Sequence, residues 1–248
     1  MSKLVLITGG SRGIGAATAL LAARQGYAVA VNYASNSLAA DEVVRQIHQS
    51  GGHAMAVQAD VAQEAQVLVM FEKIDAEFGR LSALVNNAGV VDQTTRVDAI
   101  TLARLQRIFE INVFGSFLCA REAVRRMSTR HGGSGGAIVN VSSAAARLGS
   151  PGQYVDYAAA KGAIDTFTIG LAKEVASEGI RVNAVRPGLI ETGIHASGGL
   201  PHRAQDMAPQ VPMQRPGSAE EVAESIVWLL SENSSYTTGA LLDVAGGR

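Results

Sequence analysis

With only one cysteine, Cys119, the chain cannot form an intramolecular disulfide, and no redox-active thiol pair is available. The apolar, helical neighbourhood of Cys119 points to a buried inert thiol rather than a nucleophile. Charge of one sign is equally scarce. Lys and Arg number 21 against 22 Asp and Glu, a formal net charge of -1, which leaves neither a basic footprint for nucleic acid nor a field to steer a charged partner. Apolar runs are short: none reaches the roughly 18 residues that a membrane helix needs, and Met1 to Thr8 is too brief for a signal-peptide core with its cleavage site. A cytoplasmic protein with no membrane and no nucleic-acid partner is expected. No His, Cys, Asp and Glu cluster has metal-ligand spacing, so no metal is expected.

What is present fits a single α/β domain. A chain of 248 residues is long enough for one sizeable core and short for two. Hydrophobic residues at 47% against 17% charged favour a compact enzyme with much of its surface buried, part of it between subunits. Lys3 to Thr8, Tyr27 to Tyr33, Ala54 to Gln58 and Leu81 to Asn86 read as buried strands, and so do Ala137 to Val141, Ile180 to Val185 and Ala240 to Val244. Between them, helical patterns run over 13–25, 38–50, 63–78, 103–130, 154–177 and 219–231, the last with Trp228 in its apolar face. Strands alternating with helices predict a single doubly wound, Rossmann-type domain over residues 1–248. Its seven-stranded, mainly parallel sheet would carry helices on both faces. Gly132 to Gly136 has the composition of a flexible linker, but a strand follows at once, so a loop inside one domain is expected.

Two stretches carry chemistry. After the first strand comes Thr8-Gly-Gly-Ser-Arg-Gly-Ile-Gly15, opening a helix. Glycines there let backbone approach a pyrophosphate, and the helix amino terminus offers free N–H groups and positive dipole. Further on, Tyr157 and Lys161 lie four residues apart on a predicted helix and therefore share a face. An ammonium beside a phenol favours the phenolate and makes the hydroxyl a usable acid or base near neutrality. Taken alone, that spacing equally describes a tyrosine at a helix edge beside a solvated lysine.

The motifs together settle the context. Thr8-Gly-x-x-x-Gly-Ile-Gly15, Asn86-Asn-Ala-Gly89, Asn112, Ser143, Tyr157-x-x-x-Lys161 and Pro187-Gly188 occur in the order and approximate spacing of the short-chain dehydrogenase/reductase family, which the chain resembles over nearly its whole length. The resemblance implies that Tyr157 exchanges the proton with the substrate oxygen, and that Lys161 lowers the Tyr157 pKa and holds the nicotinamide ribose. It further implies that Ser143 holds the substrate oxygen, with Ser142 as its rival, and that Asn112 sits at a helix distortion linking Lys161 to solvent. For the cofactor it implies Gly9, Ser11, Arg12, Gly13, Ile14 and Gly15 at the first turn, and Asn32, Tyr33, Ala34 and Ser35 after the second strand. Asp60 and Val61 follow the third strand, Asn87, Ala88 and Gly89 the fourth, and Pro187, Gly188, Ile190 and Thr192 the sixth. Asp60 reads equally well as a capping residue.

No Asp or Glu stands at the end of the second strand to bind a ribose 2′-hydroxyl, whereas Arg12 could pair with a 2′-phosphate, so NADP(H) is expected over NAD(H). Residues 190–214 are expected to form a mobile lid over the substrate, with His195 and His202 as surface residues of it. The activity implied is reversible hydride transfer to a small-molecule carbonyl or from a secondary alcohol, similar to 3-oxoacyl-carrier-protein reductases and glucose 1-dehydrogenase-like members. The alternative is a nucleotide-sensing protein without turnover, and the presence of both Tyr157 and Lys161 weighs against it. The apolar long helices and last strand resemble surfaces through which family members form homotetramers.

Overall fold

The computed structural model describes residues 3–248, with the side chain of His195 also outside the description. The first half alternates strand and helix: β1 (Lys3–Ile7), α1 (Gly13–Arg24), β2 (Tyr27–Tyr33), α2 (Ser37–Gln49), β3 (Ala54–Gln58), α3 (Glu64–Phe78) and β4 (Ala83–Asn86). The second half runs through α4 (Leu102–Phe109), a π-helical turn over Glu110–Phe114, α5 (Gly115–Met127), β5 (Gly136–Val141), α6 (Ala145–Leu148) and α7 (Val155–Val175). It closes with β6 (Ile180–Pro187), α8 (Ile194–Ser197), α9 (Arg203–Asp206), α10 (Ala219–Leu230) and β7 (Leu241–Val244). The seven strands form one sheet in the order β3-β2-β1-β4-β5-β6-β7, and every pairing is parallel. This is the doubly wound, Rossmann-type α/β fold.

Strand alternation divides the core in two. Leu4 and Leu6 of β1, Ala28 and Ala30 of β2 and Leu84 of β4 point to one face, where they meet Met70, Phe71 and Ile74 of α3 and Cys119 and Ala123 of α5. Val5, Ile7, Val29, Val31 and Val85 point to the other, against Ala19 and Ala22 of α1 and Val222 and Ile226 of α10. Each fully buried Leu, Ile or Phe contributes about 1.5–3 kcal/mol relative to exposure, and so fixes the register of its strand. Cys119 is among them: fully buried, with burial pushing its thiol up to about 12. No helix among the described residues is long and apolar enough to cross a membrane.

Several expectations from the sequence are corrected. The helical stretch predicted over 103–130 is broken by the π turn and ends at Met127. The glycine-rich run after it is a loop tied to its surroundings: Gly133 N–H donates to Ser128, Gly135 N–H to Met127 and Gly136 N–H to Gly179. A Cβ on Gly133 would lie 2.2 Å from the Met127 carbonyl oxygen. Trp228 does not belong to the apolar face of α10, which buries Val222, Ala223, Ile226, Val227, Leu229 and Leu230; its side chain is instead 42% exposed. The ends of the other elements move by one or two residues, as helix and strand termini fray.

Candidate active site

The order of the sheet reverses direction at β1, whose neighbours are β2 and β4. Crossovers leave the carboxyl edge of the sheet in opposite directions there and open a crevice. The first wall of that crevice is the turn after β1. Gly13 has φ +54°, which a side chain rarely adopts, and a Cβ on Gly15 would sit 2.4 Å from the Gly9 carbonyl oxygen. The turn can therefore fold flat onto the start of α1 only with glycines there. Helices α2 and α10 are capped by Asn36 and Ser218, but α1 begins at Arg12 with no side-chain cap and no acidic residue in its first turn. Its leading amides and positive dipole end remain directed at the crevice, a donor set suited to a pyrophosphate.

Polar side chains hold this wall in place. The Thr8 hydroxyl accepts from the N–H groups of Asn87 and Ala88 at 2.9 and 3.0 Å, and the Asn87 amide donates to the carbonyls of Thr8 and Gly9. Asn32 accepts from the Gly9 N–H at 3.2 Å and donates to Val57 and Ala59. The buried Asn32 amide thus ties the ends of β1, β2 and β3 together, so its side chain is committed to structure.

The resulting groove encloses about 420 Å³. Among the sequence-predicted residues it brings together Gly9, Ser11, Arg12, Gly13, Ile14, Asn32, Tyr33, Ala34, Ser35, Asp60, Val61, Asn87, Ala88 and Gly89 along one stretch. Ser143, Tyr157, Lys161, Pro187, Gly188, Ile190 and Thr192 line the other. Two predicted residues do not line it. Gly15 lies behind the turn against Gly9 and Asn87, and Asn112 lies behind Gly89, where a Cβ would meet the Asn112 oxygen at 2.8 Å. The Asp60 carboxylate accepts from the Ala62 N–H at 3.0 Å, a local turn rather than the cap of α3.

At the far end, the opening of α7 carries Tyr157 and Lys161 on one face. The Ser143 hydroxyl lines the groove with Tyr157 and accepts from the Ala145 N–H at 3.1 Å. Its rival Ser142 also lines the groove, with its hydroxyl donating to the Lys161 carbonyl at 3.2 Å. The Lys161 ammonium donates to the Val141 carbonyl at 2.7 Å and lies 5.6 Å from the centre of the Tyr157 ring. Burial pushes the Tyr157 hydroxyl up to about 12, opposed by the hydrogen bond from Ser143 and the charge of Arg203. Burial lowers Lys161 itself to about 8, opposed by Asp165. Behind both, Asn112 sits in the π turn, fully buried. It donates to the carbonyls of Ile108 and Val90 at 2.9 and 3.0 Å.

The groove also takes in residues that sequence reasoning missed, among them Asn36, Val90, Val91, Ile111, Tyr154, Ile194 and Arg203. Tyr154, the residue at the N-cap position of α7 three positions before Tyr157, could have been found by its proximity to the motif; Arg203 gave no signal. Among the described residues no group of three or more His, Cys, Asp and Glu could hold a metal ion.

Known proteins share this architecture. The family model described as enoyl-(acyl carrier protein) reductase matches residues 9–248. An uncharacterised oxidoreductase, YgfF, of Escherichia coli (strain K12) is 59% identical, with 99% of each chain covered. A 3-oxoacyl-[acyl-carrier-protein] reductase of Synechocystis sp. is 40% identical over 99% of this chain and 96% of that one. Among solved structures, a mutant of a Serratia marcescens short-chain dehydrogenase/reductase superposes with a TM-score of 0.90 at 32% identity, covering 99% of this chain and 97% of that one. Full-length similarity to oxidoreductases, on a parallel sheet with a groove at its switch point, makes this chain a member of the short-chain dehydrogenase/reductase family.

Proposed function

We propose that the protein transfers a hydride reversibly between NADP(H) and a carbonyl or secondary alcohol, using Ser143, Tyr157, Lys161 and Asn112. The observation that carries this reading is that Ser143, Tyr157 and the buried Lys161 ammonium meet in one groove whose other wall is an uncapped helix. When bound, the cofactor supplies the hydride from its nicotinamide ring. Tyr157, protonated throughout the neutral range, gives its proton to the substrate oxygen in reduction and recovers it in oxidation. Ser143 orients that oxygen and stabilises its developing charge. Lys161 supplies a fixed positive charge next to the phenol, and Asn112 braces the strand end carrying Gly89 and Val90.

The groove fits a dinucleotide with a 2′-phosphate. Residues 32–36 read Asn-Tyr-Ala-Ser-Asn, with no carboxylate to repel such a group, and Arg12 lines the groove near them. The segment 190–214 acts as the substrate lid within one domain spanning 1–248: Ile190, Thr192, Ile194 and Arg203 face the groove, while Leu189, Ala204 and Val211 form a small core of their own. The protein works as a cytoplasmic homotetramer. Support for assembly comes from Phe114 and Phe117, exposed at 54% and 46%, with Phe117 stacked on Phe167 of α7 at 3.7 Å, and from the exposed Trp228.

The test is an assay of NADPH consumption at 340 nm with a panel of ketones, β-ketoesters and quinones. Oxidation of NADPH that requires both protein and carbonyl compound supports the reading. Tight NADPH binding with no turnover across the panel would favour a nucleotide-sensing protein instead.

A further inference from the structure

Arg203 is a guanidinium with an unused edge at the reacting end of the groove. It opens α9 and lines the same cavity as Ser143 and Tyr157. One amino group donates to the Gln153 side-chain oxygen at 2.7 Å, and the guanidinium carbon stands 5.4 Å from the centre of the Tyr154 ring. Tyr154 is itself fixed, buried and donating to the Gly198 carbonyl at 3.3 Å. The Nε of Arg203 is buried and has no hydrogen-bond partner. No ion pair joins Arg203 to a carboxylate among the described residues; the charged or ionisable groups that act on it are Tyr154, Arg248 and Tyr157. Burial lowers its pKa and Arg248 adds to that, a measure of how incompletely this charge is matched.

A half-buried cation without a counter-ion is left incompletely matched unless something completes it. Aromatic stacking and one amide contact hold the plane of Arg203 at the cavity wall, and a planar fork of this kind matches a carboxylate better than any neutral group. We propose that Arg203 recognises a carboxylate on the substrate, so that this enzyme acts on oxo acids and the corresponding hydroxy acids rather than on neutral ketones. The inference rests on the oxidoreductase reading above and adds the substrate class to it.

The experiment pairs acid with ester. Binding of 3-oxobutanoate, 4-oxopentanoate and 5-oxohexanoate and of their methyl esters to the NADP-bound enzyme is measured by calorimetry, and turnover of the same compounds by NADPH oxidation. For at least one chain length the wild type should bind the acid tenfold or more tighter than the ester. Arg203→Met should bring that ratio to within threefold, and Arg203→Lys, which keeps the charge but not the fork, should fall between. NADPH affinity and the unfolding midpoint are followed alongside, so that a merely structural role would show as parallel loss of acid and ester with the ratio intact. The proposal is overturned if the wild type binds acids and esters alike, if it binds neither, or if the preference survives in Arg203→Met. An acid preference without turnover of any compound would uphold Arg203 as an anion site and refute the oxidoreductase reading.

Discussion

Asn112 grips Val90 from both sides: its side-chain oxygen accepts from the Val90 N–H at 3.2 Å and its side-chain nitrogen donates to the Val90 carbonyl at 3.0 Å. A buried amide thereby completes the strand end after β4 as a neighbouring strand would, and the π turn of Glu110–Phe114 is the distortion that puts it there. Asn112→Ala would strip the partners from two part-buried backbone groups at Val90 and a buried one at Ile108, each costing up to about 1–3 kcal/mol. The expected outcome is a fall in the thermal midpoint of several degrees together with a tenfold or greater loss of kcat. A variant with wild-type midpoint and activity would show that the grip is dispensable.

The cofactor wall tolerates no side chain at Gly15. Gly15→Ala would place a methyl 2.4 Å from the Gly9 carbonyl oxygen and 2.6 Å from the Asn87 amide, displacing the turn whose flatness exposes the first amides of α1. Affinity for NADPH should fall at least tenfold by fluorescence titration. Gly26→Ala, at a position with open space around its Cβ, is the control; it carries the strain of a positive φ but lies away from the groove, so NADPH affinity should hold.

Lys161 should show itself in pH dependence. Burial lowers it to about 8 from the ordinary lysine value of 10.5. Between those two values the unfolded chain holds the proton that the folded chain has lost, so stability rises with pH across the window, and the cost of burying the charge is fully present below about pH 8. Lys161→Met removes that cost. At pH 7 it should stabilise the protein by about 1–3 kcal/mol, a gain that fades towards pH 10.5, while hydride transfer falls by roughly 10²-fold or more. For the wild type, kcat/KM for reduction should descend with an apparent pKa near 8 as the ammonium discharges. A flat profile from pH 7 to 9.5 would contradict this role.

Arg12 should set the choice between the two dinucleotides. Arg12→Ala is expected to weaken NADPH binding tenfold or more with little change for NADH, as loss of one charge-assisted phosphate contact requires. A wild-type enzyme that uses NADH tenfold more efficiently than NADPH would remove this assignment.

Much of this was legible in the sequence, for identifiable reasons. Buried parallel strands such as Tyr27–Tyr33 are continuous apolar runs bounded by glycine, and the groove residues follow them at the carboxyl edge where a doubly wound sheet places its ligands. Other features leave no local trace. The π turn adds one residue to a helical repeat without interrupting apolar periodicity, so Glu110–Phe114 reads as ordinary helix from its residues, and only the family resemblance points to a distortion at Asn112. Trp228 is apolar by composition, but its angular position on α10 turns it outward, beside a stripe already filled by Val227 and Leu229. The ionisation of Tyr157 depends first on how deeply the surrounding walls bury its hydroxyl, a tertiary quantity that helical spacing to Lys161 does not contain. Arg203 lies in a segment without strand or long-helix pattern, and only the folded chain brings it to Tyr154 and Gln153.

The account depends most on the proton held by Tyr157, and Tyr157→Phe tests it directly. With NADPH affinity measured separately by fluorescence, the variant should bind NADPH within about threefold of wild type and lose 10²-fold to 10⁴-fold in kcat for carbonyl reduction. Undiminished turnover by Tyr157→Phe would contradict the account.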